Sequence, residues 1–149
     1  MATRSRIGII TTQEWTRSVY CHYDGYPTGV GRTLKENYDN GKVGQLLDLG
    51  DIRFLGTDIG EKPIAEMAPD YDMTSFFIRD NGASYSESGS KIDASFEAFF
   101  QRAIECGAEW YYLMQKGVWY FGSTDLAGPY YSALRLLELP VVTAGRLVT

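Results

Sequence analysis

The chain has 149 residues, of which 44% are hydrophobic and 22% charged, and these values predict a single globular domain spanning residues 1–149. The formal net charge of −5 argues against general nucleic-acid binding, because nucleic-acid backbones attract basic surfaces. The two cysteines lie far apart and no run of 18 apolar residues occurs, so we expect a cytoplasmic protein without a disulfide scaffold or a membrane span.

The N-terminal segment predicts a β-hairpin. Residues Arg6–Thr12 and Arg17–Tyr23 have strand-like composition and flank a polar turn of about four residues. Trp15 would then stand exposed at the tip of the turn, where it is a candidate contact residue. The hairpin is the first predicted element of the fold.

Its second strand places Tyr20, His22 and Asp24 on one face, because side chains alternate along a strand. His22 is the only histidine, and imidazole is easily tuned near neutral pH. The row is either a solvated face on which His22 bonds Asp24, or a functional imidazole–carboxylate pair. A zinc site is disfavoured, because Cys21 and His22 point to opposite faces.

A glycine-rich turn follows this strand. Thr28 is a predicted helix N-cap, and Gly29 and Gly31 would bring backbone N–H groups close to an anion. Five residues separate Gly25 from Gly31, one more than in a phosphate loop, and Arg32 stands where that motif has lysine. Two interpretations stay open: a loose anion-binding helix end, or a tight turn that needs glycine for steric reasons.

On the anion-binding interpretation, the helix start meets a negative group, Arg32 adds charge, and Tyr20 or Tyr26 stacks on a base. Arg79 would contribute from the end of a third strand. No metal and no cofactor are predicted. The predicted ligand-binding residues are Tyr20, His22, Asp24, Tyr26, Thr28, Gly29, Gly31, Arg32 and Arg79.

Two segments also carry a resemblance: S-R-I-G-I at Ser5–Ile9 and V-Y-C-H-Y-D-G-Y-P-T-G-V-G-R-T-L at Val19–Leu34. The chain resembles an uncharacterised family of small phage-encoded proteins that have a Y-C-H-x-D-G-Y-P segment near the N-terminus. The segments Gly50–Gly56 and Trp110–Phe121 fit the same pattern, whereas the family's second charged cluster is replaced by R-D-N-G-A at Arg79–Ala83. The resemblance implies a phage origin and no particular chemistry.

The middle of the chain predicts short helices and loops. In chain order we predict helices at Thr28–Tyr38 and Lys42–Leu49, a helical turn at Asp51–Leu55, a long loop at Gly56–Met73, a strand at Thr74–Arg79 and a mobile loop at Asp80–Lys91.

The C-terminal part carries the clearest patterns. Apolar residues at helical spacing predict a core helix that is capped by Asp93 or Ser95 and ends at Gly107. We then predict a hairpin of Glu109–Gln115 and Val118–Gly122, a helix at Pro129–Leu137 and an edge strand within Val141–Thr149. The predicted fold is α+β, with an antiparallel sheet of about five strands and helices packed on one face.

Three functions fit these observations. The first is a phage counter-defence or host-takeover factor that binds either a small nucleotide signal or a host defence protein. The second is a small nucleotide- or phosphoester-acting enzyme with His22 as general base and Asp24 orienting it. The third is a self-associating structural or assembly protein. Aromatic residues on both faces of the second hairpin predict a homodimer, and Cys21 and Cys106 are both expected to be buried and inert.

Overall fold

The computed structural model describes residues 2–11, 13, 15–60 and 73–125, and the backbone alone of 135–136, 141–143 and 146–148. Its strands are β1 (Ser5–Ile10), β2 (Thr16–Cys21), β3 (Ile52–Phe54), β4 (Ser75–Phe76), β5 (Lys91–Asp93), β6 (Trp110–Gln115), β7 (Val118–Ser123), β8 (Arg135–Leu136), β9 (Val141–Thr143) and β10 (Arg146–Val148). Its helices are a π-helical turn at Pro27–Gly31, α1 (Arg32–Asn37), α2 (Asn40–Asp48), α3 (Phe77–Asn81), α4 (Tyr85–Ser88) and α5 (Phe96–Glu105). The α+β class is confirmed.

The sheet is mixed rather than purely antiparallel, and it has more strands than predicted. Eight strands belong to it, in the order β4-β3-β2-β1-β6-β7-β8, with β5 also pairing with β2. The hairpin pairs β1–β2 and β6–β7 are antiparallel, but β1 and β6 run parallel, with Ser5 opposite Trp110. The local hairpins could be predicted from sequence, whereas this pairing joins segments about a hundred residues apart.

Helices cover both faces of the sheet, so the prediction of helices on one face is wrong. One face packs against α1 and α2 and the other packs against α5. The core on the first face includes Ile7, Val19, Cys21, Val30, Leu34, Val43, Leu46 and Tyr112. The core on the second face consists of Ile10, Phe96, Phe99, Phe100, Tyr111 and Leu113. Because both faces are apolar, β1 and β6 lie at the centre of the molecule.

The two predicted hairpins are confirmed. Trp15 is 47% exposed beside the first turn, as expected for a residue at a loop tip. The second hairpin turns at Lys116 and Gly117, which both have positive φ angles, 52° and 77°. Its strand β6 lies between β1 and β7, and its side chains enter both core clusters, so the two cores of the chain account for its aromatic character. The homodimer stays a prediction.

The predicted core helix is also confirmed, as α5. The Ser95 hydroxyl accepts a hydrogen bond from the Ala98 N–H at 3.1 Å, and Gly107 follows the helix with φ +78°. Its phenylalanines surround the ring of Tyr111 with edge-to-face contacts. None of the described helices has the length and apolar composition of a membrane span.

The middle of the chain differs from prediction. The predicted helical turn at Asp51–Leu55 is strand β3, and the predicted strand at Thr74–Arg79 ends at Phe76, after which α3 begins at Phe77. The reason is local: the buried Asp80 carboxylate accepts the N–H of Phe76 at 2.8 Å and folds the chain back into a helical turn. The predicted loop at Asp80–Lys91 contains helix α4.

Two other predictions fall partly outside the described residues. They are the loop at Gly56–Met73, of which 61–72 are not described, and the helix at Pro129–Leu137, of which only 135–136 are described, as strand β8. The predicted C-terminal strand is present as β9, but it pairs with β10 in a separate two-stranded sheet.

Candidate functional site

The end of β2 carries a hydrogen-bonded tyrosine–histidine pair. The Tyr20 hydroxyl lies 2.7 Å from Nδ1 of His22, and both side chains are partly exposed. The His22 ring makes an edge contact with Tyr23 at a centroid distance of 4.6 Å. The strand direction continues past Cys21, because the N–H groups of His22 and Tyr23 bond carbonyls of Ile52 and Arg53. The pair is therefore held by both its own strand and β3.

The predicted pairing of His22 with Asp24 is wrong. Asp24 has φ +57°, and this left-handed conformation ends the alternation that would have kept it on the same face as His22. The Asp24 carboxylate instead accepts a hydrogen bond from the Tyr26 hydroxyl at 3.2 Å. The structure thus has two separate hydrogen-bonded pairs here, Tyr20–His22 and Asp24–Tyr26.

Two arginines lie close to the His22 imidazole. Burial lowers the pKa of His22, and the positive charges of Arg4 and Arg53 lower it further. Arg4 reaches toward the C-terminal end of α5, since a Cβ on Gly107 would lie 2.9 Å from its Nη1. Within the described part of the chain, neither arginine forms an ion pair. The surroundings of His22 are therefore positively charged in a chain whose net charge is negative.

This arrangement predicts the titration of His22. As the only histidine, it gives a single titrating imidazole signal in a proton NMR spectrum, and we expect its pKa below the ordinary value of about 6.5. Arg53→Ala should raise that pKa, because one repelling charge is removed, whereas Lys35→Ala on α1 should not. Acid should also destabilise the fold below about pH 6.5, because the unfolded chain takes the proton more readily. An unchanged His22 pKa in Arg53→Ala would contradict the proximity of these charges.

The glycine-rich turn is closed by its own hydrogen bonds. The helix begins at Pro27 with Tyr26 as its N-cap, so the predicted N-cap at Thr28 is wrong. The N–H of Gly29 bonds the Tyr26 carbonyl at 2.9 Å, and the N–H of Val30 bonds the Asp24 carbonyl at 2.8 Å. These two donors are therefore engaged within the turn, which weakens the anion-binding interpretation.

Steric contacts explain the glycines. A Cβ on Gly29 would collide with the Asp24 carbonyl oxygen, and a Cβ on Gly31 would lie 2.9 Å from the Tyr112 ring. The Tyr112 hydroxyl also donates a 2.6 Å hydrogen bond to the Gly25 carbonyl. The turn is thus clamped against β6, and this favours the steric interpretation of Gly25, Gly29 and Gly31.

The helix start and the tyrosine–histidine pair lie on opposite faces of the sheet. Val30 and Leu34 pack with Val19 and Cys21 in the first core. Because strand side chains alternate, Tyr20 projects to the other face, toward α5. The structure brings Tyr20 and His22 together and separates them from Thr28, Gly29 and Gly31.

The two predicted arginines make contacts of their own. Arg32 forms an exposed i,i+4 ion pair with Glu36 at 3.4 Å on α1. Arg79 donates to the carbonyls of Ile59, Gly60 and Thr74 and to the carboxylate of Asp80. Arg79 therefore holds the chain around residues 56–60 instead of reaching toward His22.

A polar cleft beside Tyr20 was not predicted from the sequence. Its floor includes Arg6, Tyr20, Asp51 and Cys106, and its volume is about 360 Å³. The hairpin register places Arg6 opposite Tyr20, whereas the predicted strand bounds would have placed Ile9 there. Cys106 is partly exposed in the cleft, so its predicted burial is wrong.

Cys21 is fully buried as predicted, and burial raises the pKa of its thiol to about 12. The two cysteines therefore differ in exposure, because Cys21 lies under α1 and α2 while Cys106 follows the last turn of α5. Among the described residues, no group of three or more His, Cys, Asp or Glu side chains is placed to hold a metal ion.

The chain was compared with protein-family models, with curated proteins and with solved structures. None of the three comparisons found a match.

Proposed function

We propose that the protein acts by binding, and that its ligand is a small nucleotide-like anion held by the surface around His22. The observation that carries the proposal is the Tyr20–His22 pair, partly exposed and flanked by the charges of Arg4 and Arg53. Cations attract the negative group of such a ligand, and the exposed ring of Tyr23 offers a surface for stacking. This surface replaces the glycine turn as the proposed binding position.

A binding role fits these residues better than catalysis does. In the described part of the chain, the side-chain hydrogen bond of His22 goes to Tyr20, a group that neither orients it as a carboxylate would nor acts as a strong nucleophile. The enzyme alternative would need a nucleophile or activated water that these contacts do not supply.

The biological role that we propose is counter-defence or host takeover, in which the protein sequesters a small nucleotide signal. The phage origin behind this proposal comes from the sequence resemblance at Val19–Leu34. The alternative form of this proposal is that the protein binds a host defence protein and blocks it.

The test is a binding screen with cyclic and linear nucleotides, read by native mass spectrometry and calorimetry. For a nucleotide that binds, Arg53→Ala should weaken affinity about tenfold, since one charge-assisted contact is lost. Arg32→Ala is the matched control, because Arg32 is also a half-exposed arginine but lies on α1. Affinity should rise as pH falls below about 6.5, because a protonated His22 adds positive charge.

The outcomes separate the functions. Recovery of the ligand unchanged supports binding, and its conversion would support the enzyme. A larger loss of affinity in Arg32→Ala than in Arg53→Ala would indicate that the ligand binds at the helix start and not around His22. If no nucleotide binds, the proposal of a nucleotide ligand is wrong.

A further inference from the structure

The polar cleft beside Tyr20 contains a buried arginine at its floor. Arg6 is only 4% exposed, and its Nε and Nη2 donate to the hydroxyl and carbonyl of Ser18 at 3.0 and 3.1 Å. These two bonds fix the plane of the guanidinium. Nη1 extends toward the cleft wall, where the Cys106 sulfur lies at 3.9 Å.

Among the described residues Arg6 forms no ion pair within 4 Å, and the carboxylate that its charge acts on is Asp51, which lines the same cleft. Arginine is almost never fully buried unless it is paired, because desolvating the charge is costly. The other cationic residue to consider is Lys91, whose Nζ donates to the Ser86 carbonyl at 3.1 Å. Arg102, in contrast, is already neutralised by a two-pronged pair with Asp93.

Acidic side chains also line the cleft, and they would repel a bound anion. Glu87 and Glu105 are exposed, so water screens their repulsion of an anion. At the same distance, the attraction between an anion and the buried Arg6 is about four times as strong as an interaction between charges in water, because the effective dielectric constant around Arg6 is lower. Asp51 is partly buried and accepts the Tyr20 N–H at 2.9 Å. Burial raises the pKa of its carboxyl, while the Tyr20 N–H and the positive charges of Arg6 and Lys91 act in the opposite direction, so a bound phosphate would share these two cations with Asp51.

We propose that this cleft is an oxyanion subsite in which Arg6 and Lys91 bind a phosphate group. A volume of about 360 Å³ is at the lower end of the range of small-molecule pockets, and it holds a phosphate with room for an attached sugar. Because Ser18 engages Nε and Nη2, the group that Arg6 presents to a phosphate oxygen is Nη1, held in a fixed plane. Tyr20 joins this subsite to the surface around His22, because its ring lines the cleft while its hydroxyl bonds His22.

The inference rests on the proposed function for the rest of the ligand, whereas the phosphate subsite can be tested by itself. Cys106 is a reporter inside the cleft, and Cys21, which is fully buried, is a control in the same molecule. Iodoacetamide is uncharged, so its reaction with Cys106 responds to blocking of the cleft. The native protein should be labelled at Cys106 and not at Cys21.

Inorganic phosphate and adenosine monophosphate are the two probes, with sodium chloride at matched ionic strength as the reference. We expect millimolar phosphate to slow the labelling of Cys106 severalfold and to raise the melting temperature relative to chloride. Lys91→Ala should raise the phosphate concentration needed for half-protection about fivefold, which is the size of one partly exposed charge contact. Lys35→Ala, an exposed lysine on α1, should leave it unchanged.

The two probes distinguish the sources of the phosphate. Stronger protection by the nucleotide assigns the subsite to a nucleotide phosphate, and equal protection assigns it to free phosphate. If neither probe changes the labelling rate of Cys106 or the melting temperature relative to chloride, the proposal of a phosphate subsite is wrong. Inorganic phosphate has no base that could stack on Tyr23, so it tests the phosphate subsite alone. Its failure to protect Cys106 is therefore distinguishable from a failure of nucleotides to bind around His22.

Discussion

Arg79→Ala should destabilise the fold by about 3–5 kcal/mol, the range measured when one partner of a buried ion pair is removed. The Asp80 side chain is fully buried and pairs with Arg79 at 3.0 Å. Arg79 also satisfies three backbone carbonyls, of Ile59, Gly60 and Thr74. Truncation would remove the positive charge that lies 3.0 Å from the buried Asp80 carboxylate. Chemical denaturation measures the loss.

The matched control for this variant is Arg32→Ala. Its ion pair with Glu36 is exposed, so the expected change is under about 0.5 kcal/mol. Both arginines were predicted from sequence to contact a ligand, which would have left stability unchanged in both variants. Equal stability of Arg79→Ala and Arg32→Ala would contradict the structural role of Arg79.

Gly29→Ala should cost about 1–3 kcal/mol, the usual range for forcing an extra carbon into a filled space. The added methyl group would collide with the Asp24 carbonyl and approach the Tyr26 ring at 2.9 Å. The Asp24 carbonyl is also the acceptor for the Val30 N–H, so relief of the collision strains the closing bond of the turn. The melting temperature should fall accordingly.

Gly44→Ala is the control, and its expected effect has the opposite sign. Gly44 lies inside α2 with no atom within 4 Å of its added Cβ. Replacing an unhindered helical glycine should stabilise the fold by about 0.5–1 kcal/mol. If Gly29→Ala is as stable as the wild type, the glycine is not needed for steric reasons and the anion-binding interpretation regains support.

Local sequence patterns predicted the elements whose stabilising contacts are also local. Both hairpins and α5 agree with prediction, because turn residues, alternation and a 3.6-residue period act within a few positions of each other. Strand β3 was not predicted in that way, and β4 covers only the first part of the strand predicted at Thr74–Arg79. Their conformation depends on pairing with distant partners, such as Ile52 opposite Cys21 and opposite Phe76, so three residues of sequence carry little signal.

The candidate site shows the same division. Alternation along β2 predicted that Tyr20 and His22 share a face, and the structure agrees. The predicted helical turn at Asp51–Leu55 does not place Arg53 beside His22, because that proximity depends on β3. The predicted strand bounds do not place Arg6 beside Tyr20, because the observed register of the hairpin differs from the predicted one. The Asp24 error has another cause: a non-glycine residue with positive φ is uncommon, and alternation was assumed to continue through it.

The parallel pairing of β1 with β6 also determines how the chain assembles. Each hairpin closes a short loop, so each can form early and alone. The seam between them brings Ser5 beside Trp110, and closing that long segment costs more chain entropy. We therefore expect pairing at the seam, rather than formation of either hairpin turn, to limit the rate of folding.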